Sequence, residues 1–428
     1  MRLLARTISG VLLFLVAAGA EAQFAQYTTP GGPDSRPIDR KGQLRKQVAS
    51  ARLRLGPLRV APTFGLKDVE YVKNLLGAAA AGGRPTDFTA TVSAGARAYL
   101  PTGPAVTWTA YALPQYVWWA RETGLRRLDG LYGLGFDGFW NRLTVSAAAG
   151  SDAQQQILTP EVPRQTSART DHAGGVAELS LSGRFSTFVS GTVSRYRNLG
   201  NPALDPLANV LSELDREEAV ARAGVRWRPR GWLVGLGAEY SDVKFIDRRP
   251  GAIDASNSGT APVLELARDG GRLFFQADVV QRSLTARQGS SFVKFDKTTG
   301  HASVSYEIAH GTEIWVYANR NLVYSLATGF SYFTDSRQGA AFHLKLGRRA
   351  SANLFAEVGQ LDYTAAAAGT PHRRDDLTAF GGALNYGVLR SVVISLQGSR
   401  TRFTSNFPGA GRELTILGLT ATFTAGQP

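Results

Sequence analysis

Histidines 172, 301, 310, 343 and 372 are the only imidazoles in the 428-residue chain. A metal site or a general-base dyad needs such side chains spaced four apart on a helix, or joined to carboxylates at ligand spacing. None of the five is placed that way, so all read as loop or lumen residues. Cysteine is absent, which removes thiolate nucleophiles, thiolate metal sites and disulfides together. Gly133-Leu134-Gly135 and Gly235-Leu236-Gly237 have the glycine spacing of a phosphate loop, but such a loop needs a helix N-terminus after it. Both lie inside strand patterns, where glycine relieves crowding on a curved sheet. No Gly-x-Ser-x-Gly elbow occurs. The sequence therefore predicts no catalytic residue, no metal and no cofactor, and an enzyme is the weakest functional reading.

Chemistry is carried instead by charge. Arg59, Lys67, Arg97, Arg222, Arg226, Arg282, Lys345 and Arg400 fall by parity on one face of alternating segments, against Asp137, Glu178, Glu239, Glu265, Asp278, Glu307 and Glu357. Opposed rows of this kind line water-filled barrels, and rings of Arg and Lys favour anions. Eight bases against seven acids leave a mutually paired lumen and an anion-tolerant pore both open.

The elements that must position these residues are strands. Phe88, Ala90, Val92, Ala94, Ala96, Ala98 and Leu100 alternate with Thr89, Thr91, Ser93, Gly95, Arg97 and Tyr99, a period of two with unlike faces. The same division recurs from about residue 58 onward in segments near the 9–11 residues that a tilted strand needs to cross a bilayer. Tyr116, Trp118, Trp119, Trp140, Trp227, Trp232, Tyr324 and Tyr363 sit near segment ends, as interface girdles do. For Trp108, Tyr111, Trp315 and Tyr317 parity leaves the face undecided. Tight Gly, Pro or Asn links, such as Thr102-Gly103-Pro104 and Pro229-Arg230-Gly231, alternate with longer polar ones around 74–86, 151–170, 199–216, 246–260, 284–297, 325–337, 364–375 and 403–411. This predicts an all-β fold: a transmembrane antiparallel up-and-down β-barrel of about 18 strands (16–18), with short periplasmic turns and longer extracellular loops. Mean hydropathy of −0.13 with one long apolar run excludes a helical membrane bundle.

That run belongs to residues 1–22, which read as a signal peptide: basic Arg2 and Arg6, apolar Val11 to Ala18, and Ala20-Glu21-Ala22 before cleavage. Export makes a nucleic-acid partner improbable despite a net charge of +14. Residues 23–50, with Pro30, Pro33, Arg36, Arg40, Lys41, Arg45 and Lys46, read as a flexible basic periplasmic arm, and 51–428 as the barrel. Leu414 to Phe423 looks like the terminal strand read by the barrel-assembly machinery. Arg126-Arg127, Arg248-Arg249 and Arg373-Arg374 are loop-side clusters suited to anionic outer-leaflet lipid or polysaccharide.

Leu55-Gly56-Pro57-Leu58-Arg59-Val60-Ala61-Pro62, followed by a strand and Tyr71-Val72-Lys73-Asn74, resembles the opening of β-barrel porins associated with exopolysaccharide biosynthesis operons. The resemblance covers about twenty residues and implies an outer-membrane channel, in a Gram-negative envelope, tied to polysaccharide synthesis or export. Together these readings predict a porin-like channel passing polysaccharide or small solutes, anionic ones among them, linked to exopolysaccharide export. The alternative is a non-conducting barrel that binds polysaccharide or a periplasmic export partner.

Overall fold

The computed structural model describes residues 40–73, 86–200, 206–246, 253–389 and 391–424. The predicted signal peptide, the rest of the arm, the link at 74–85 and Arg248-Arg249 lie outside them. Helix α1 (Arg40–Ser50) and the short strand β1 (Leu53–Leu55) precede the barrel wall. The wall begins with β2 (Leu58–Lys73), β3 (Thr86–Thr102), β4 (Val106–Trp119), β5 (Arg127–Phe139), β6 (Leu143–Thr159) and β7 (Val162–Ser180). It continues through β8 (Phe185–Asn198), helix α2 (Pro206–Leu211) in the link, β9 (Arg216–Trp227), β10 (Trp232–Phe245), β11 (Asn257–Asp269) and β12 (Leu273–Ala286). Then come β13 (Phe295–Ala309), β14 (Thr312–Tyr324), β15 (Phe330–Leu346), β16 (Ala350–Ala365), β17 (Arg374–Leu389), β18 (Val392–Ser405) and β19 (Arg412–Thr424). Each of β2 to β18 pairs antiparallel with the next, and β19 closes on β2 from Thr415 opposite Lys73 to Thr424 opposite Thr63. The result is the closed barrel of 18 strands that the alternation predicts. Closure leaves no unpaired strand edge facing lipid, where each open backbone group would cost several kcal/mol.

Residues directly opposite in an antiparallel ladder share a face, so rows can be followed round the wall. Leu134, Ala149, Ala173, Val193 and Ala219 form one row on the outside, where Leu134 is 67% and Val193 56% exposed. Shifted along the strands, Asp137, Ser146, Val176, Ser190, Arg222 and Glu239 form a row on the inside. The exterior is thus an apolar band that faces lipid and the interior is polar, as in membrane barrels.

Of the expected girdle aromatics, Trp140, Trp227, Trp232 and Tyr116 face outward, and Trp118 is outward beneath the Arg126 guanidinium, 5.5 Å from its ring centre. Trp119, Tyr324 and Tyr363 do not: each is buried inside the barrel, because the loop-end strands rise beyond the membrane and turn their side chains onto one another. Trp108 faces outward, while Tyr111, Trp315 and Tyr317 face inward.

Three further readings are corrected. The predicted loop over 151–170 is strand: β6 and β7 run on to a two-residue turn at 160–161. Residues 154–167, which leave the wall, face no lipid on either side, so no apolar alternation marks them. Conversely, 120–126 is a genuine link built round a 3-10 turn at Thr123–Leu125, with one glycine to signal it. Within the arm expected to be flexible, residues 40–50 are helical and docked.

An arginine on the lipid face near mid-membrane is expected to cost about 2–4 kcal/mol. Ala147→Arg, on the outer face opposite Phe136, should lower unfolding free energy in lipid vesicles by that amount, whereas Ala148→Arg, on the inner face, should fall well short of it.

Candidate functional site: a lumen crossed by its own hairpin

The lumen-facing charges are paired in two walls. On β7 to β12, Glu178 accepts from Arg226 at 3.0 Å and from Arg228 at 2.5 Å, and Arg226 forks onto Glu265 at 2.8 and 3.1 Å. Gly235 lies beneath that fork: a Cβ there would stand 2.8 Å from Glu265 Oε2, so the glycine makes room for the ion pair to cross β10. One level up, Glu239 is held between Arg222 at 2.7 Å and Arg282 at 3.0 Å, and Arg222 also reaches Asp278 at 3.3 Å. On β15 and β16, Arg337 forks onto Asp335 at 2.8 and 2.7 Å and donates to Glu357 at 3.1 Å, which also accepts from the Tyr317 hydroxyl at 2.8 Å. Buried charges survive only with such full partnering.

Above these walls the lumen is crossed. β6 pairs with β5 only up to Ala153 opposite Gly130, and β7 pairs with β8 only down to Ala168 opposite Asn198. Beyond those points β6 and β7 continue with each other alone, so the 154–167 hairpin peels away from the wall. Its tip reaches the far side: Glu161 accepts from Ser325 Oγ at 2.7 Å and from the Leu326 N–H at 2.6 Å. Arg412 donates to the Pro160 carbonyl and, at 2.8 Å, to Asp375. On the near arm Gln165 donates to Glu70 at 3.0 Å, and Glu70 also accepts from Gln397 at 3.1 Å. Between these anchors, Ile157 packs into a cluster with Phe330, Phe333, Leu361, Tyr363, Leu377 and Phe403. Leu158 lies against a second cluster containing Phe245, Phe295, Tyr324 and Tyr332. Arg216 stacks 4.3 Å from the Tyr196 ring and pairs with Glu218 at 2.6 Å beside that second cluster. In the 366–373 link Arg373 lies over Tyr363 and forks onto Asp375; burial opposes its charge, but Asp375 holds the guanidinium above its ordinary value.

The opposite mouth is narrowed by α1. Leu44, Val48 and Ala51 pack on Tyr99, Ala61 and Phe139, the Tyr99 hydroxyl donates to Gln47 at 3.2 Å, and Arg40 pairs with Asp137. Arg45 and Lys46 point to solvent.

Among the residues singled out from parity, Arg59, Lys67, Arg97, Arg222, Arg226, Arg282, Lys345, Asp137, Glu178, Glu239, Glu265, Asp278, Glu307 and Glu357 lie on the inner face. Arg400 does not. It stands opposite the lipid-facing Phe380, on the outside, and pairs with Glu413 at 2.8 Å. Its strand alternates Ile394 and Leu396 outward with Ser395 and Gln397 inward, and Arg400 continues the outward set. Sequence reasoning missed Glu161, Glu70, Asp335, Arg337 and Arg412. Glu161, Asp335 and Arg337 fall within segments read as loops, where parity has no meaning. Among the described residues no cluster of His, Asp or Glu could hold a metal ion.

No protein-family model matches the chain, and no curated protein matches it. Solved structures do. A BenF-like porin from Pseudomonas fluorescens Pf-5 is similar at 10% identity and TM-score 0.50, covering 86% of this chain and 99% of that one. The outer membrane protein opdK from Pseudomonas aeruginosa is similar at 8% identity and TM-score 0.50, covering 85% and 98%. The fold is that of an outer-membrane porin barrel.

Removing the acid between two buried guanidiniums leaves both without compensation, which costs about 3–5 kcal/mol. Glu239→Ala is expected to lower unfolding free energy by that much in urea titrations, while Glu413→Ala, from an exposed pair, should leave the midpoint nearly unmoved.

Proposed function

We propose that the protein is an outer-membrane channel for small solutes, exported by its signal peptide, whose bore is set by the 154–167 hairpin. The observation that carries this reading is the hairpin's departure from the wall into a polar, charge-lined lumen, with anchors on the opposite side. A barrel of 16–18 strands encloses an aqueous bore unless something fills it. Small solutes fit this arrangement better than a polymer, which would have to displace the hairpin. A link to exopolysaccharide export rests on the Leu55 to Asn74 resemblance.

The charge arrangement favours anions. Glu178, Glu239, Glu265, Asp278, Glu357 and Asp137 each contact an arginine, and of the seven inward acids only Glu307 contacts none among the described residues. Lys67, Lys297 and Lys345, also on the inner face, have no carboxylate partner among the described residues. Rings of unpaired cations lower the barrier to anions. A second reading, a barrel that binds polysaccharide or a periplasmic partner and conducts little, draws on the two aromatic clusters that pack the loop-end lumen and on α1 in the other mouth. Within either reading β19 is the strand offered to the barrel-assembly machinery.

Planar-bilayer recording separates the two. The intact protein is expected to show small steps with a reversal potential on the anion side in a salt gradient. Replacing 155–166 by two glycines should raise conductance several-fold, and Glu161→Ala with Arg412→Ala should lengthen open times. Silence from both the folded parent and the folded deletion would overturn the channel and support the binding barrel.

A further inference from the structure

The row just above the outer apolar row on β5 to β10 is charged. Tyr132, Ser151, Asp171, Arg195, Glu217 and Lys244 follow one another round the outside of the wall. The next row toward the loops sets Arg169 directly opposite Arg197. Like charges facing each other across a ladder are destabilising, so this pair costs stability in the absence of an anion. Arg127 is not part of this surface: it stands opposite the inward-facing Val117 and pairs with Asp129 at 3.1 Å. The carboxylates nearby compensate only in part: Asp171 reaches Arg197 at 3.4 Å and Glu217 reaches Arg195 at 3.7 Å. Arg195 and Arg197 keep 42% and 40% of their side chains exposed, and since their Nε atoms are buried it is the remainder of each guanidinium that an external anion reaches.

We propose that Arg169, Arg195 and Arg197 form a docking surface for the phosphate groups of a phosphorylated glycolipid in the outer leaflet. Position selects the source of the phosphate. The arginines stand on the lipid-facing side, immediately beyond Leu134 and Val193, where the outer apolar row gives way to charge. Acyl chains would lie on the apolar row while headgroup phosphates meet the guanidiniums, whose planar forks suit phosphate oxygens. Clusters of basic residues next to an apolar span recognise anionic lipid by this arrangement. The proposal stands whether or not the lumen conducts.

The test uses the full mature barrel refolded in detergent micelles, with folding checked by heat-modifiable electrophoretic mobility and lipid retention read by native mass spectrometry. Three probes are compared: bisphosphorylated lipid A, the same lipid dephosphorylated, and inorganic phosphate as competitor. Retention of the phosphorylated lipid is expected to exceed that of the dephosphorylated form by at least tenfold. The combined variant Arg169→Ser, Arg195→Ser, Arg197→Ser should lose that advantage, while Arg45→Ser with Lys46→Ser at the opposite end should keep it. Equal retention of the two lipids, displacement by inorganic phosphate at the lipid's own concentration, or full retention by the triple variant would each overturn the proposal. If the triple variant does not fold, Arg169→Gln alone is read, with about a threefold loss expected and no change counting against the site.

Discussion

Hydrocarbon offers the backbone no hydrogen-bond partner, so a sheet that crosses a membrane must pair every strand on both sides. In this chain that requirement is met by β19 returning to β2, and the remaining features follow from the closure. A closed wall has one face toward lipid and one toward an enclosed space. Charged residues within the span are therefore committed to the inside, and those that are buried there find partners across neighbouring strands. The result is the run of Arg228, Glu178, Arg226 and Glu265, and above it Asp278, Arg222, Glu239 and Arg282. Gly235 belongs to the same solution, since a side chain there would occupy the space the Arg226 fork uses.

The constraint ends where the lipid ends. Above Ala153 and Ala168 the strands β6 and β7 no longer need neighbours in the wall, because outside hydrocarbon a backbone edge can be satisfied without a paired strand. Freed from the ring, the hairpin bends toward the apolar surface available inside. Burying aliphatic side chains such as Ile157 and Leu158 is worth about 1.5–3 kcal/mol each when complete. Polar anchors at Glu161, Gln165 and the Pro160 carbonyl then define where the hairpin rests. The two mouths are consequently unlike: the loop end is packed with aromatics and crossed by a strand pair, whereas the short-turn end is narrowed by one basic helix.

The outer surface shows the same boundary from the other side. Apolar rows give way within one level to Asp171, Arg195, Glu217 and Lys244, and on the opposite part of the wall Leu396 gives way to Arg400 and Arg402. Arg400 shows what residue type alone cannot decide. Counting by twos from the apolar Ile394 and Leu396 puts it on the outer face, and only its charge suggests the lumen; near the rim an outward charge meets water and headgroups and is tolerated there.

Much of the fold was legible in the sequence because the membrane imposes it residue by residue. Alternation in segments long enough to cross a bilayer, closed by Gly and Pro links, specifies a barrel and its strand number, and inside positions follow wherever the other face is apolar. Outside the lipid this coding lapses. The 151–170 segment, polar on both sides, carries no mark that it is a hairpin, and nothing in Glu161, Ser325 and Arg412 announces that they meet, since they are brought together only by the curvature of the closed ring. Local periodicity therefore determined the wall, while the path of the hairpin, the pairing of Asp335 with Arg337 and Glu357, and the docking of α1 were decided by tertiary structure, because contacts across a lumen depend on the circumference of the whole barrel and on no single strand.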